Sequence, residues 1–340
     1  MKPNYSAWDI DINSFPYSGK IEEKIKFILK FAVLAPSGHN SQPWEFKISN
    51  DILEIYSNKN RSLEESDPEH RQLMIALGCM LGNIIVASES YGLKSDFQIS
   101  ENISENLIAK VIFSDSSSKI INTKNLQSIL KRITNRGKYD TSKQIPDSFI
   151  SKIKSLETDN IKISYFSQKE EIIKISEIVI DFQIKAMDRV GFRSELSHFL
   201  KNNWTNSKTG MIAGNFGIPA PITFFASKII KNININKKTR NKDLDLIKNN
   251  TNGYLIISIE KESKINWLNA GIVFEKIWLS ATLDNLALAP NAAPIQSKEG
   301  REEIQKITKS NFTPSAILRI GFPIINPIKT PRLSVEDVLG

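Results

Sequence analysis

A single cysteine, Cys79, in a chain of 340 residues excludes an internal disulfide and any site built from several thiolates. The three histidines, His39, His70 and His198, stand in unrelated contexts without ligand-like spacing, so no metal site is expected. The chain has no Gly-x-Ser-x-Gly elbow, no Walker loop and no Gly-x-Gly-x-x-Gly run, which removes the familiar hydrolase, kinase and dinucleotide-fold readings. Long apolar runs are also missing. The longest candidate, Pro219–Ala226, is far too short to span a bilayer, and Met1–Ser14 carries Asp9 and Asp11 without an apolar stretch of the signal-peptide kind. A cytoplasmic chain without a membrane partner is the expectation.

What is present is ordinary globular material: 40% hydrophobic and 24% charged residues, enough to bury the core of one large domain or two smaller ones. The balance is basic, 45 Lys and Arg against 37 Asp and Glu, but the excess is spread along the chain. Only Lys228–Lys242 is a local basic run without acids. It reads as a solvated loop or an exposed helix face, and the excess suits attraction of small anions better than nucleic acid.

Periodicity organises the chain. Ile21, Ile25, Ile28, Leu29 and Ala32 form the apolar stripe of a helix over Lys20–Ala35, stopped by Pro36-Ser37-Gly38. Trp44–Ile48 alternates as a half-buried strand, with Ile52–Tyr56 as its hairpin partner. A long helix is predicted over Glu69–Tyr91, with Gly92 as its stop and Cys79 as a small buried hydrophobe inside it, followed by strands at Asp96–Ser100 and Ile108–Phe113. The pattern then recurs: a helix at Asn125–Ile133, a strand at Ile161–Phe166 and a helix at Glu170–Val190. Ile222–Ala226 and Gly253–Glu260 are β-prone runs, and a second long helix is predicted over Trp267–Leu286. The two long helices overlay at one constant offset, Gly78 on Gly271, Ile84 on Ile277, Val86 on Leu279 and Leu93 on Leu286, a faint signal of duplication. Asn202–Gly217, rich in Gly and Asn, reads as an irregular loop or lid.

Four polar clusters fall at element ends. Ala35–Trp44 is dense in Gly, Ser, Asn and Pro. Its exposed backbone groups and the Asn40 and Gln42 amides can read the edge of a flat heterocycle, or can simply cap a turn. Arg132-Ile133-Thr134-Asn135-Arg136 offers two guanidiniums and a hydroxyl, the makings of a phosphate clasp or of two surface arginines. Lys329-Thr330-Pro331-Arg332 adds two cations that complete an anion site or belong to a solvated tail. Leu288–Pro294 is a run of small residues that either lets backbone amides approach a planar ligand or forms a plain Pro-bounded loop.

In this order the clusters resemble the nitroreductase family of flavin mononucleotide (FMN) proteins, and most nearly its long, single-chain Acg-like branch. APSGHNSQPWEF is similar to the family's signature loop, DPEHRQLMIALGCMLGNIIVASESYGL to its central helix and RITNRGKYD to its phosphate motif. FRSEL with the later GM resembles its middle segment, and AGIVFEKIWLSATLDNLALAP and RIGFPIINPIKTPRLSVEDVL its closing helix and tail. The resemblance implies an α+β chain in which a nitroreductase-like fold is duplicated as a pseudo-dimer, with mostly antiparallel sheets flanked by helices. The first lobe would run over 1–122 and the second over 123–340, with a lid-like insertion around 195–250. It implies one FMN per chain, because Ser14–Lys24 of the first lobe has no Arg-x-Ser/Thr-x-Arg clasp and the second lobe no second PSGHN loop, so a mirror-related site would lack both. Pro36, Ser37, Gly38, His39, Asn40 and Gln42 would line the cofactor, and Arg132, Thr134, Lys329 and Arg332 would take the phosphate and ribityl end. Arg136 would approach the pyrimidine edge of the flavin, and Pro290, Asn291 and Ala292 would face its ring. The implied activity is NAD(P)H-linked ping-pong hydride transfer to a nitroaromatic, quinone or related acceptor, with the chemistry on the flavin and no catalytic side chain. The alternative is a protein that binds and sequesters FMN with little turnover. A monomeric pseudo-dimer or weak homo-oligomer is expected.

Overall fold

The computed structural model describes residues 2–100, 106–115 and 122–340. Its first helix, α1 (Ile21–Ala32), starts where the Glu23 carboxylate accepts the Lys20 backbone N–H at 2.9 Å, and it buries Ile25, Ile28 and Leu29 along one stripe. After the signature loop come β1 (Trp44–Ser49), β2 (Ile52–Ser57), the long helix α2 (Arg71–Ser90), β3 (Leu93–Ile99) and β4 (Leu107–Asp115). These strands form one antiparallel sheet in the order β1-β2-β4-β3.

Helices α3 (Thr123–Lys131) and α4 (Asp147–Lys154) lead to β5 (Ile161–Phe166), α5 (Lys169–Asp188) and α6 (Val190–Phe199). Two residue-pair strands, β6 (Leu200–Lys201) and β7 (Met211–Ile212), pair in parallel before α7 (Thr223–Asn232) and α8 (Ile235–Asn249). The chain finishes its second sheet with β8 (Gly253–Ile259), α9 (Lys264–Leu283), β9 (Ala287–Pro290), α10 (Lys298–Thr308) and β10 (Thr313–Gly321). That sheet is also antiparallel, in the order β5-β8-β10-β9. Counted within each sheet, both run first, second, fourth, third. The α+β class is therefore as the sequence predicts.

Two expectations need correction. The β-prone run Ile222–Ala226 is helical: Thr223 and Ala226 are buried and Ile230 packs behind them, a helical spacing that lets one side of α7 face the protein. And α2 is long and apolar enough to cross a membrane by length and composition. The 78% of its apolar window that lies inside the protein marks it as a core helix.

The two sheets share a core through α2 and α9, which cross in direct backbone contact. A Cβ on Gly78 would stand 2.0 Å from the Leu268 carbonyl oxygen, and one on Gly271 would stand 2.2 Å from that of Ile75. Only glycine permits this approach. The contacts are reciprocal, Gly78 to Leu268 and Gly271 to Ile75, and the sequence offset that pairs the two glycines also pairs Leu268 with Ile75. The tail then returns to the first sheet, where Phe46 N–H donates to Val338 O at 2.8 Å and Gly340 N–H donates to Phe46 O at 2.9 Å.

Candidate functional site

The Leu34 carbonyl lies just past the C-terminus of α1, where helix carbonyls lack intrahelical donors. Two guanidiniums from distant segments meet it. Arg132 donates from Nη2 at 2.6 Å and Arg332 from Nη2 at 3.4 Å. Both are buried, at 2% and 4% exposure. Arg132 also lies 4.7 Å over the Trp278 ring and places Nε 3.1 Å from Glu275 Oε1, in an ion pair closed to solvent on both sides. Arg332 donates further to Asn40 Oδ1, Thr330 Oγ1 and the Pro331 carbonyl, yet its buried Nε has no hydrogen-bond partner among the described residues. Burial pushes the Glu275 carboxyl up, against the pull of Arg132 and Arg332, and holds Arg332 well below its usual range. Two cations against one acid, with an orphaned donor, form a cluster whose charge suits an anionic oxygen ligand.

The signature loop wraps this cluster in left-handed backbone. His39, Asn40 and Gln42 have φ of 50°, 56° and 54°, uncommon for side chains other than glycine and retained here because hydrogen bonds fix each turn. Asn40 Nδ2 donates to Gly210 O at 2.9 Å and to Pro331 O at 3.0 Å, while Gly210 N–H returns a bond to Asn40 O. Gln42 donates from Nε2 to Lys208 O at 2.8 Å and accepts the Leu333 N–H at 2.8 Å. Its own N–H goes to Ser37 Oγ at 2.9 Å. Both amides, expected to read a ligand edge, are thus spent on segments 208–210 and 331–333. Pro36, Ser37 and Gly38 are half-buried beside them, and a Cβ on Gly38 would meet Leu63.

His39 sits under α6, its ring centroid 5.9 Å from Phe199 and 6.2 Å from Phe192, with Nε2 enclosed and without a partner among the described residues while the rest of the residue reaches solvent. Burial lowers its pKa to about 4. Glu195 opposes the shift and Arg136 adds to it, so the ring is neutral near pH 7.

A second group lies along the edge of the second sheet. Thr134 bridges Leu288 in parallel, and Asn135 donates its N–H to Leu288 O at 3.1 Å and its side chain to Ile325 O at 2.7 Å. Leu288–Pro290, expected as an open loop, is strand β9. Asn291 continues it by donating N–H to Ile317 O at 2.9 Å, and the Ala292 carbonyl accepts from Ile295 and Gln296. Arg136 is exposed and carries its guanidinium 4.8 Å over Phe216. Lys329 lies 4.5 Å over the Trp8 ring, which Arg332 also faces at 5.2 Å.

The fold therefore brings together Asn40, Gln42, Arg132, Lys329 and Arg332. Thr134, Arg136, Pro290, Asn291 and Ala292 form the adjoining group, joined to the first by the chain at 132–136 and by the field of Arg136 on His39. Sequence reasoning missed Glu275. Its signal was an acid set inside the apolar run Ile272–Leu279, where a charge is retained only with a partner.

No family model matches the chain. A Mycobacterium tuberculosis protein provisionally named an NAD(P)H nitroreductase is 37% identical over 70 residues, 21% of this chain and 20% of its own length, so that match spans about a fifth of the relative. Another from the same organism, acg, also provisionally named an NAD(P)H nitroreductase, is 21% identical over 92% of this chain and 94% of its own. Among solved structures, the FMN-dependent nitroreductase NfnB of Mycobacterium smegmatis, in complex with NADPH, is 10% identical over 63% of this chain and 96% of that one, with a TM-score of 0.42. A provisionally named nitroreductase of Anabaena variabilis is 10% identical over 80% and 69%, with a TM-score of 0.44. The full-length likeness supports assignment to the nitroreductase family. The likeness that extends over nearly the whole chain is to the Acg protein, at 21% identity.

Proposed function

We propose that this chain is an FMN-dependent oxidoreductase that takes hydride from NAD(P)H and passes it, in a ping-pong cycle, to a nitroaromatic, quinone or related acceptor. The observation that carries the reading is the meeting of Arg132 and Arg332 on the Leu34 carbonyl, directly ahead of the signature loop. Donor chemistry and net charge there fit the phosphate of FMN, and the orphaned Arg332 Nε is a donor such a ligand would satisfy. Arg132, Arg332, Thr134 and Lys329 would hold the phosphate and ribityl end. When bound, FMN supplies the redox chemistry, and the chain supplies binding, orientation and exclusion of water. Arg136 would face the pyrimidine edge, where a cation favours the reduced, anionic cofactor. Arg136→Ala is then expected to weaken FMN binding and lower the bound cofactor's potential. Redox titration showing both unchanged would remove Arg136 from the site.

The first test is the visible spectrum of the purified protein, with FMN identified in the denatured supernatant, followed by anaerobic addition of NADH or NADPH. A second reading, storage of FMN with little turnover, draws on the hydrogen bonds that pin segment 208–210 across Asn40 and Gln42. Bound FMN that no pyridine nucleotide bleaches would favour storage.

We also infer that the chain is an internal pseudo-dimer, with lobes at 1–122 and 123–340. Support comes from the shared strand order of the two sheets and from the reciprocal contacts of Gly78 and Gly271 at one sequence offset, as a two-fold axis between equivalent helices requires. The proposed boundary abuts residues 116–121, which lie outside the described ones.

A further inference from the structure

The residues from Trp204 to Lys242 carry seven cations and no acid. They also carry several of the large apolar side chains that the protein leaves in water. Phe224 is 57% exposed, Phe225 62%, Ile222 48% and Ile233 46%, and Trp204, at 49%, stacks on Phe224 with centroids 4.9 Å apart and planes 5° from parallel. α7 is built with two faces. Thr223, Ala226 and Ile230 turn toward the protein, while Phe224, Lys228 and Lys231 follow one another at helical spacing on the opposite, exposed side with Phe225 beside them. Lys208, Lys237 and Arg240 are neutralised by Asp337, Asp188 and Asp181, whereas among the described residues Lys228, Lys231, Lys238 and Lys242 have no ion pair.

We propose that the outer face of α7, with Trp204 and the free lysines around it, docks reversibly on an anionic lipid surface. Exposed aromatics grouped on one helix face are costly in water and call for a cover. The charge around them selects what the cover is. A second copy of this chain would set the unpaired Lys228 and Lys231 of one face against those of the other, which repels. Nucleic acid matches the charge and can stack on Trp and Phe, but Ile222 and Ile233, exposed at the two ends of α7, have no base-stacking use and suit acyl chains. Lysines at the rim of an apolar helix face are the arrangement that meets anionic headgroups while the rings reach the acyl boundary.

The test is co-sedimentation of the full chain with phosphatidylcholine vesicles with or without a one-third share of phosphatidylglycerol, at low and high salt. Binding is expected on the anionic vesicles, weakening with salt, with little on the neutral ones. Phe224→Ser with Phe225→Ser should lower the partition at least tenfold, and Lys228→Glu with Lys231→Glu should abolish the preference for anionic lipid. All four positions are exposed, so unchanged thermal melting confirms that each variant folds. No binding to anionic vesicles at low salt, or binding indifferent to both double variants, overturns the proposal. So does a dimer in sedimentation velocity that the Phe variants dissociate, or retention on duplex DNA tighter than on the vesicles.

Discussion

Three buried charges, Arg132, Arg332 and Glu275, decide how the site behaves. Two guanidiniums stay buried because one carboxylate and one helix-end carbonyl balance them. Removing the acid leaves both cations uncompensated, so Glu275→Leu should cost about 3–5 kcal/mol in urea unfolding. Inorganic phosphate should recover part of that loss, and a variant indifferent to phosphate would deny the cluster an anion site. His39 predicts a pH effect whose sign follows from its low folded pKa of about 4. The unfolded chain binds the proton first as pH falls below 6.5, so the contribution of the neutral ring is whole above that value and lost between 6.5 and 4. The loss is up to about 3 kcal/mol. His39→Phe should flatten that part of the stability profile, read as the difference between the two proteins. The difference also cancels Asp67, whose carboxyl burial raises to about 6 and which acts in the opposite sense, favouring the fold as it takes up its proton.

At the scale of elements, the crossing of α2 and α9 is the joint of the molecule. Gly78→Ala would force a methyl to within 2.0 Å of a backbone oxygen that cannot rotate away, so the helices must separate. A loss of about 3 kcal/mol or more in chemical unfolding is expected, against a small change for Ser227→Ala on the half-buried side of α7. The elements themselves were unevenly legible. α1, α2, β1, β2, β5, β8 and α9 could be read because one face or both faces of each meet the core, and burial imprints its period on sequence. The start of α7 reads as β-prone because Ile222–Ala226 is apolar but for Thr223 and its exposed side is also apolar, so no period shows. β9 reads as a loop because its small residues and Pro290 carry no strand signal. Its strand state comes from pairing with β10 and from the bridge to Thr134.

Across the whole molecule, the tail closes the structure. Residues 331–340 carry Arg332 to the site, pair with Phe46 and bury Val335 and Val338 in the shared core. Deleting them should cost at least about 3 kcal/mol from the two valines alone. It should also abolish FMN retention, measured as flavin absorbance after gel filtration. Sequence by itself determined the α+β class, the order of most elements, the match between Gly78 and Gly271 and the candidacy of Arg132 and Arg332, since local period, glycine placement and motif strings are written in neighbouring residues. The tertiary structure alone decided that those two arginines share the Leu34 carbonyl, that the buried Glu275 carboxylate pairs with Arg132 away from solvent, and that the Asn40 and Gln42 amides are spent on segments 208–210 and 331–333. Each of those facts joins positions far apart in sequence, and only the closing of the chain on itself brings their charges and dipoles within reach of one another.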